Sequence, residues 1–506
     1  MSRTVQHLHQ LLAGIFSKIN TVNDPLITGL CHDSRQLKPG DLFFAYPGNQ
    51  SDGRNFLAEV VVKGAAAVLF ESNGSSPVAP SSIPFIPIAN LYAYLGLIAA
   101  RFYEHPSHQL AVVGITGTNG KTSCTHFLAQ CLQQLHHSCG LIGTLGNGLQ
   151  GCLTPSSLTT PDAIELQQLL DIFHTQHAKT VLMEVSSHRL AQQRLNGTEF
   201  CIAAFTNLTR DHLDYHGSME NYANAKRSFF NLPSVQQAVL NADDPYGQAW
   251  IGELYGQLPL TAYSLAKPKP AVAHIPHVTV AHYVCDKQGI RADIVSPWGR
   301  FSIENQFLMG TFNLSNLLLV ITILKLLDYS IVDIAKVISH IKGVEGRLQS
   351  FYTPHQALVI IDYAHTPDAL ERVLQVVRAH CQGVLYCVFG CGGDRDRGKR
   401  ALMGAVADQH ADSIILTNDN PRFEDPEQII WDIQQGLSGN KPVHIEQNRR
   451  RAIRYAMRKA NAEDVILVAG KGHEAYQLIA GKKFVFSDAI ALISSTDLPS
   501  ADDLKK

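Results

Sequence analysis

Gly117-Thr-Asn-Gly-Lys-Thr122 is the most chemically specific run in the chain. Glycines at both ends of a short loop let backbone N–H groups approach phosphate oxygens, and a helix opening at Lys121 adds a favourable dipole. Gly117, Thr118, Asn119 and Gly120 then cradle phosphate, Lys121 reaches the β- and γ-phosphates, and the Thr122 hydroxyl ligates Mg²⁺. The spacing departs from the common G-x-x-x-x-G-K-[ST] form: position 115 is Ile115, and Gly114 comes one place early. That argues against the ordinary kinase and GTPase families and leaves nucleotide binding intact.

Phosphate chemistry needs cations to offset charge. Glu184 closes the otherwise apolar run Thr180–Val185 and reads as a metal ligand rather than a rim ion pair. Thr209-Arg-Asp-His-Leu-Asp-Tyr-His216 packs two His and two Asp into one short stretch, so a site is expected there, with neutral His212 as a metal ligand. Lys226, inside Asn221–Phe230, reads on its own as an ordinary solvated helix lysine.

These residues need elements to hold them. Leu110–Ile115 predicts a buried strand running into the glycine loop, and Lys121–Leu135 a helix. Thr180–Ser187 and Cys201–Leu208 repeat the pattern of apolar run into polar residues. Strands alternating with helices predict a parallel, doubly wound α/β sheet, whose ligands gather at the carboxyl ends of its strands. From about Val344 the same pattern recurs in Ala357–Pro367, Gly383–Asp396, Asp412–Arg422 and Asp464–Glu474, which predicts a second α/β sheet. Before Leu110, short strands (Asp41–Ala45, Ala65–Phe70) and a helix (Leu91–Tyr103) lead to a polar break at His105-Pro-Ser-His108. The expected division is 1–108, 109–343 and 344–506, with a frayed tail from Asp497.

The bulk properties are consistent with a folded enzyme. The 506 residues are 45% hydrophobic and 17% charged with a net charge of -2, so general binding to nucleic acid or to an anionic membrane is not expected. The ten cysteines contain no C-x-x-C pair and read as free thiols in a reducing compartment. The N-terminus lacks the pattern of a signal peptide, and Leu317–Leu324 is too short an apolar run to span a bilayer. A cytoplasmic monomer is the expectation.

Taken together, these motifs resemble the Mur ligases over nearly the full length. Further landmarks are Asp33-Ser-Arg35, Pro39–Phe43, Leu158–Asp162, Glu184–His188, Gly310–Asn316, Glu345–Gln349, Asp362–Leu370, Gly390–Arg400, Asp419–Arg422 and Gly470–Glu474. The resemblance implies three domains: one for the UDP end of a substrate, a central P-loop-type parallel sheet for ATP and Mg²⁺, and a Rossmann-like C-terminal domain for an incoming amino acid. It implies ATP contacts from Ser123, Asn316, Arg347 and His365 beside the loop itself. It implies uridine and phosphate contacts from His32, Ser34, Asn49, Gln50 and Ser51. Thr159, Thr160, Ser186, Gln192 and Arg194 become contacts to a muramoyl-dipeptide. It also implies that Lys226 carries a CO₂-derived carbamate, an anionic oxygen ligand that shares a second Mg²⁺ with His212. Three positions depart from the usual pattern: Ser123 for Thr, Arg189 for a small residue, and Asn448 for Asp.

The amino acid implied is meso-diaminopimelate, joined to a UDP-N-acetylmuramoyl-L-alanyl-D-glutamate substrate through an acyl phosphate. Compared with lysine it has one extra carboxylate, which calls for a fixed cation. In Asp419-Asn420-Pro421-Arg422, Pro421 stiffens the turn and Arg422 can grip a carboxylate bidentately. Arg395 is expected to help, while Glu474 and the Gly470 carbonyl receive the distal ammonium. The competing reading of Arg422 is an ion pair with Glu424 or Asp425.

Overall fold

The structure, a computed structural model, describes residues 5–16, 24–48, 51–72, 83–156, 158–267, 274–286 and 288–496. Asn49, Gln50 and the expected frayed tail lie outside the described residues.

Three sheets organise the chain. The first holds four parallel strands in the order Gly29–Cys31, Asp41–Ala45, Ala67–Glu71, Phe85–Ile88. Helix Leu91–Phe102 covers it, with Leu91, Leu95 and Ile98 against Leu42, Phe44 and Leu69.

The central sheet has eleven strands. The phosphate-loop strand, Ala111–Thr116, runs parallel between Thr180–Glu184 and Ile202–Phe205. Glu184 pairs with Ile115 and Phe205 with Thr116, so three carboxyl ends finish side by side. These strands are apolar throughout because both faces are covered. Helices Lys121–Gln134 and Thr311–Leu326 pack Phe127, Leu128 and Leu318 against Val113, Ile115 and Leu182. On the other face, helices Ala163–Thr175, Met219–Arg227 and Pro245–Leu254 pack Leu170, Tyr222 and Trp250 against Val112, Val181 and Phe205. Helix Thr311–Leu326 is apolar nearly all round, which is why it sits inside the protein and not on its surface.

The parallel expectation holds only for the middle of this sheet. One edge continues through Gly146–Leu149 and Cys152–Thr154, and the other through His277–Asp286, Gly289–Ser296 and Gly299–Asn305, with antiparallel pairing. These edge strands alternate buried and exposed residues, since only one face is covered.

The C-terminal sheet has six strands in the order Gln349–Tyr352, Leu358–Asp362, Val465–Ala469, Leu385–Phe389, Ser413–Leu416, Val443–Ile445. Only the first is antiparallel. The loops after Asp362, Phe389, Leu416 and Ala469 therefore open on one rim. All ten cysteines are free. Among the described residues, no helix is long and apolar enough to cross a membrane.

Candidate active site

The glycine loop is shaped by close approach. Gly117 has φ +146°, and a Cβ there would stand 1.9 Å from Thr206 Oγ1. Gly120 has φ +86°, and a Cβ would meet Asn316 Oδ1 at 2.8 Å. Both positions need glycine on two counts, backbone conformation and space.

Two lysine amines meet at this loop. Lys121 Nζ donates to the carbonyls of Gly117 (2.8 Å) and Thr118 (2.9 Å). Lys226 Nζ donates to the same Gly117 carbonyl at 2.8 Å and is 1% exposed. Burial, then the neighbouring Lys121, holds the Lys226 amine well below the usual lysine range. Burial also lowers Lys121, against the pull of Glu184 and Asp211. The solvated-lysine reading of Lys226 is therefore wrong: its helix turns this residue inward, toward the carbonyl of the phosphate loop.

Thr122 and Glu184 form the second pair. Thr122 Oγ1 donates to Glu184 Oε2 at 2.8 Å, and Thr144 donates to both carboxylate oxygens through its N–H (2.8 Å) and hydroxyl (3.1 Å). Arg347 Nη2 reaches Thr122 Oγ1 at 3.2 Å, and its guanidinium lies 4.3 Å above the Tyr363 ring. Hydroxyl, carboxylate and flanking cations together suit a phosphate chain with a hard divalent cation, whose ligands are oxygens. Asn316 donates to Asn313 Oδ1 at 3.2 Å, and both line the same cleft as Lys121, Arg347 and His365. Ser123 is buried at the start of the helix, where a hydroxyl in place of the usual Thr keeps the polar group.

Asp211 joins the central and C-terminal parts. His212 Nε2, His365 Nε2 and Lys399 Nζ lie 3.3, 3.5 and 3.8 Å from its carboxylate. Burial works to raise this carboxyl, but the hydrogen bond to His365 and the proximity of His212, His365 and Lys399 overcome it and hold it well below the usual range. Burial pushes His212 down to about 3, so its imidazole is neutral, the form that ligates metal. The other His and Asp of that stretch are used differently. His216 Nε2 contacts Ser187 Oγ at 3.0 Å, and Asp214 faces Arg395 at 3.9 Å.

Thr159, Thr160 and Ser186 come together beside this cleft. Thr144 Oγ1 and Thr159 Oγ1 lie 3.1 Å apart, Thr160 Oγ1 donates to the Glu184 carbonyl (2.8 Å), and Ser186 Oγ lies 3.3 Å from Thr160 Oγ1. Arg189, the departure from the usual small residue, is buried and donates to the Thr160 carbonyl (2.9 Å) and to Gln192 Oε1 (2.9 Å). Arg194 donates to Tyr92 of the N-terminal part at 2.8 Å, and Tyr92 stands edge-on to Tyr46 at 4.8 Å. Tyr46 in turn stacks near His32, whose imidazole is 3.8 Å from Asp162. Ser34 is buried, and its carbonyl accepts from Lys63 at 2.8 Å; Ser51 is exposed. Tyr46, Tyr92 and Thr144 carry no motif, so nothing in the sequence marked them.

On the C-terminal rim, Arg422 has φ +55° and donates from Nη1 to the Gly393 carbonyl at 2.7 Å. Among the described residues it has no ion-pair partner. Glu424, the suspected partner, is held by Arg400 at 2.9 Å, and Asp425 caps helix Pro426–Gln434. A Cβ on Gly392 would stand 2.8 Å from Arg422 Nη1 and 3.6 Å from Arg395 Cγ, so two guanidinium-bearing side chains flank a bare glycine. Asn420 Nδ2 and Lys471 Nζ both donate to Glu474 Oε2, at 2.9 and 2.6 Å. Gly470 sits against the Asp419 carboxylate. Pro421 places its carbonyl against Gly393. Lys471 lay inside a motif singled out above yet received no role there.

Three family models match successive parts of the chain: the Mur ligase family catalytic domain over 26–103, the Mur ligase middle domain over 115–324, and the Mur ligase glutamate ligase domain over 346–472. UDP-N-acetylmuramoyl-L-alanyl-D-glutamate–2,6-diaminopimelate ligase of Coxiella burnetii is 49% identical over 92% of this chain and 94% of its own length. The chain belongs to the Mur ligase family. The Pseudomonas putida enzyme of the same name is 46% identical, again over 92% of this chain and 94% of its own. A solved structure of a 2,6-diaminopimelate ligase of that name superposes with TM-score 0.68 at 33% identity, over 97% of this chain and 99% of its own. MurF from Acinetobacter baumannii shares the fold at TM-score 0.65 and 18% identity, over 92% of this chain and 96% of its own. As a Mur ligase the chain is an ATP-dependent enzyme, and Mur ligases generally use Mg²⁺.

Proposed function

We propose that this Mur ligase joins meso-diaminopimelate to UDP-N-acetylmuramoyl-L-alanyl-D-glutamate in peptidoglycan precursor synthesis. The D-glutamyl side carboxylate attacks the γ-phosphorus of ATP, giving an acyl phosphate and ADP. The amine of diaminopimelate then attacks the acyl carbon and expels phosphate. Lys121 spreads the charge that develops on the transferring phosphoryl group. Asn316, Arg347 and His365 hold the nucleotide with Gly117–Ser123. Thr122 and Glu184, and His212 with a carbamate on Lys226, would hold Mg²⁺, which would supply positive charge against the repulsion between carboxylate and phosphate. A neutral Lys226 amine supports that modification, since only the free amine adds to CO₂. His32, Ser34, Asn49, Gln50 and Ser51 serve the UDP end, and Thr159, Thr160, Ser186, Gln192 and Arg194 the muramoyl-dipeptide. The enzyme acts as a monomer in the cytoplasm on small-molecule substrates.

The observation that carries the amino-acid assignment is Arg422. Its guanidinium is half-buried beside Arg395, with no carboxylate paired to it among the described residues, and burial and Arg395 lower its pKa. A substrate carboxylate completes this site; lysine leaves it unpaired, a difference worth roughly 10⁴ in discrimination at comparable sites. Asp419, Asn420, Pro421, Gly470 and Glu474 complete the pocket, with Glu474 taking the distal ammonium through the oxygen that Lys471 leaves free. Arg422→Ala should lower kcat/KM for meso-diaminopimelate at least about 10²-fold and narrow the preference over L-lysine; Arg422→Lys should not restore it, lacking the bidentate fork. An unchanged preference in Arg422→Ala would overturn the assignment.

A further inference from the structure

Outside the cleft, one cluster among the described residues brings together three side chains whose donor atoms could hold a metal ion. Asp24 Oδ2 lies 2.6 Å from His9 Nδ1 and 3.1 Å from His7 Nδ1, and all three ligand atoms fall within 4.8 Å of one another. Residues two apart on a helix point to different sides. His7 and His9 meet only because His7 is the N-cap of helix Leu8–Leu12, with extended backbone (φ -71°, ψ 141°), while His9 is inside the helix. Asp24 arrives from across a short ladder in which His7 pairs with Leu26. Its second oxygen, Oδ1, accepts from the His9 backbone N–H at 2.9 Å, which fixes the carboxylate plane as outer-shell bonds do in metal sites.

We propose that His7, His9 and Asp24 form a binding site for a divalent transition ion, with zinc as the ion tested. Two imidazoles and one carboxylate are a donor set that zinc accepts, at about 2.0–2.2 Å per bond. Tetrahedral bonds of that length set neighbouring donors about 3.3 Å apart, so the observed 2.6 and 3.1 Å need to open only slightly. With the ring proton on Nε2, each neutral imidazole would turn its Nδ1 lone pair toward the ion. Asp24 is 14% exposed while the two histidine side chains are 48% and 49% exposed, so the carboxylate forms the floor and solvent supplies the fourth ligand from above. Leu8, Leu11 and Leu12 face the other way, into the N-terminal core. The ion would pin helix Leu8–Leu12 to the segment entering strand Leu26–Ile27. Mg²⁺, which prefers all-oxygen sites, would not compete here.

Zinc binding is measured by chelator competition on the full chain, with hydrogen exchange at Leu8–Leu12 recorded with and without zinc in Mg²⁺-containing buffer. The local exchange readout separates this site from any zinc taken by thiols or by the cleft. The wild-type chain should show slowed exchange at Leu8–Leu12 with zinc, and His9→Gln should lose that protection and bind at this site at least about tenfold more weakly. His7→Asn should behave alike, which guards against a folding defect in one variant. Unchanged exchange at Leu8–Leu12 in zinc-loaded wild type, or equal protection in both variants, would overturn the proposal.

Discussion

The Gly117 carbonyl accepts hydrogen bonds from both Lys121 and Lys226, and this one atom decides much of the residue-scale chemistry. Two ammonium groups so close, with one fully enclosed, cannot both keep their protons cheaply. Lys226 is held the further below the usual lysine range, and a neutral amine there is what the proposed carbamate requires. Activity should fall in CO₂-depleted buffer and return with bicarbonate. It should also fall with decreasing pH as the Lys226 amine gains a proton, because only the neutral form carries the carbamate. Lys226→Ala should lose roughly 10²-fold or more in kcat and ignore bicarbonate; full turnover by that variant would contradict the role. The residue pattern around Lys226 did not show this burial; only the family resemblance pointed to the lysine. An Ala-Lys-Arg stretch on a helix says nothing about which face is buried until the neighbouring sheet is in place. The glycine loop was legible because its constraint is local: strand, turn and helix stand next to one another in the chain.

At the scale of elements, the strands that carry the site were legible because each is an uninterrupted apolar run ending in polar residues. The antiparallel edges were not. Half-covered strands such as Gly289–Ser296 mix polar and apolar residues, and their pairing is set by neighbours far along the chain. Asn448 shows how a departure can be harmless: its side chain accepts from the Arg451 N–H and caps helix Arg449–Lys459 as Asp would. The next residue has a larger task. Arg449 is buried, pairs with Asp488 at 2.7 and 2.8 Å, and donates to the Ala469 carbonyl at 2.8 Å, next to Gly470 on the C-terminal rim. Arg449→Ala should therefore cost about 3–5 kcal/mol in denaturant unfolding, because Asp488 is left buried and unpaired. A loss below about 1 kcal/mol, the usual ceiling for an exposed pair, would show that water reaches Asp488.

For the whole molecule, loops from three sheets meet around one path. Arg194 and Tyr92 join the first part to the second, and Arg210 grips Asp396 at 3.0 and 3.1 Å across the second and third. Asn119 of the phosphate loop donates to Asp368 of the C-terminal part at 3.3 Å. Such links hold the C-terminal part against the phosphate loop, and in the proposed reaction that contact would help keep water from an acyl phosphate. The three-part organisation could be read from changes of pattern along the chain, but the joining residues could not. Arg210 and Asp396 stand far apart in sequence, and each looks like an ordinary surface charge. The most direct measurement is phosphate release from ATP with UDP-N-acetylmuramoyl-L-alanyl-D-glutamate, comparing meso-diaminopimelate, L-lysine and no amino acid. Release with meso-diaminopimelate alone, with a tripeptide product of matching mass, is the predicted result. Release with lysine at equal efficiency, or release that needs no amine, would contradict it.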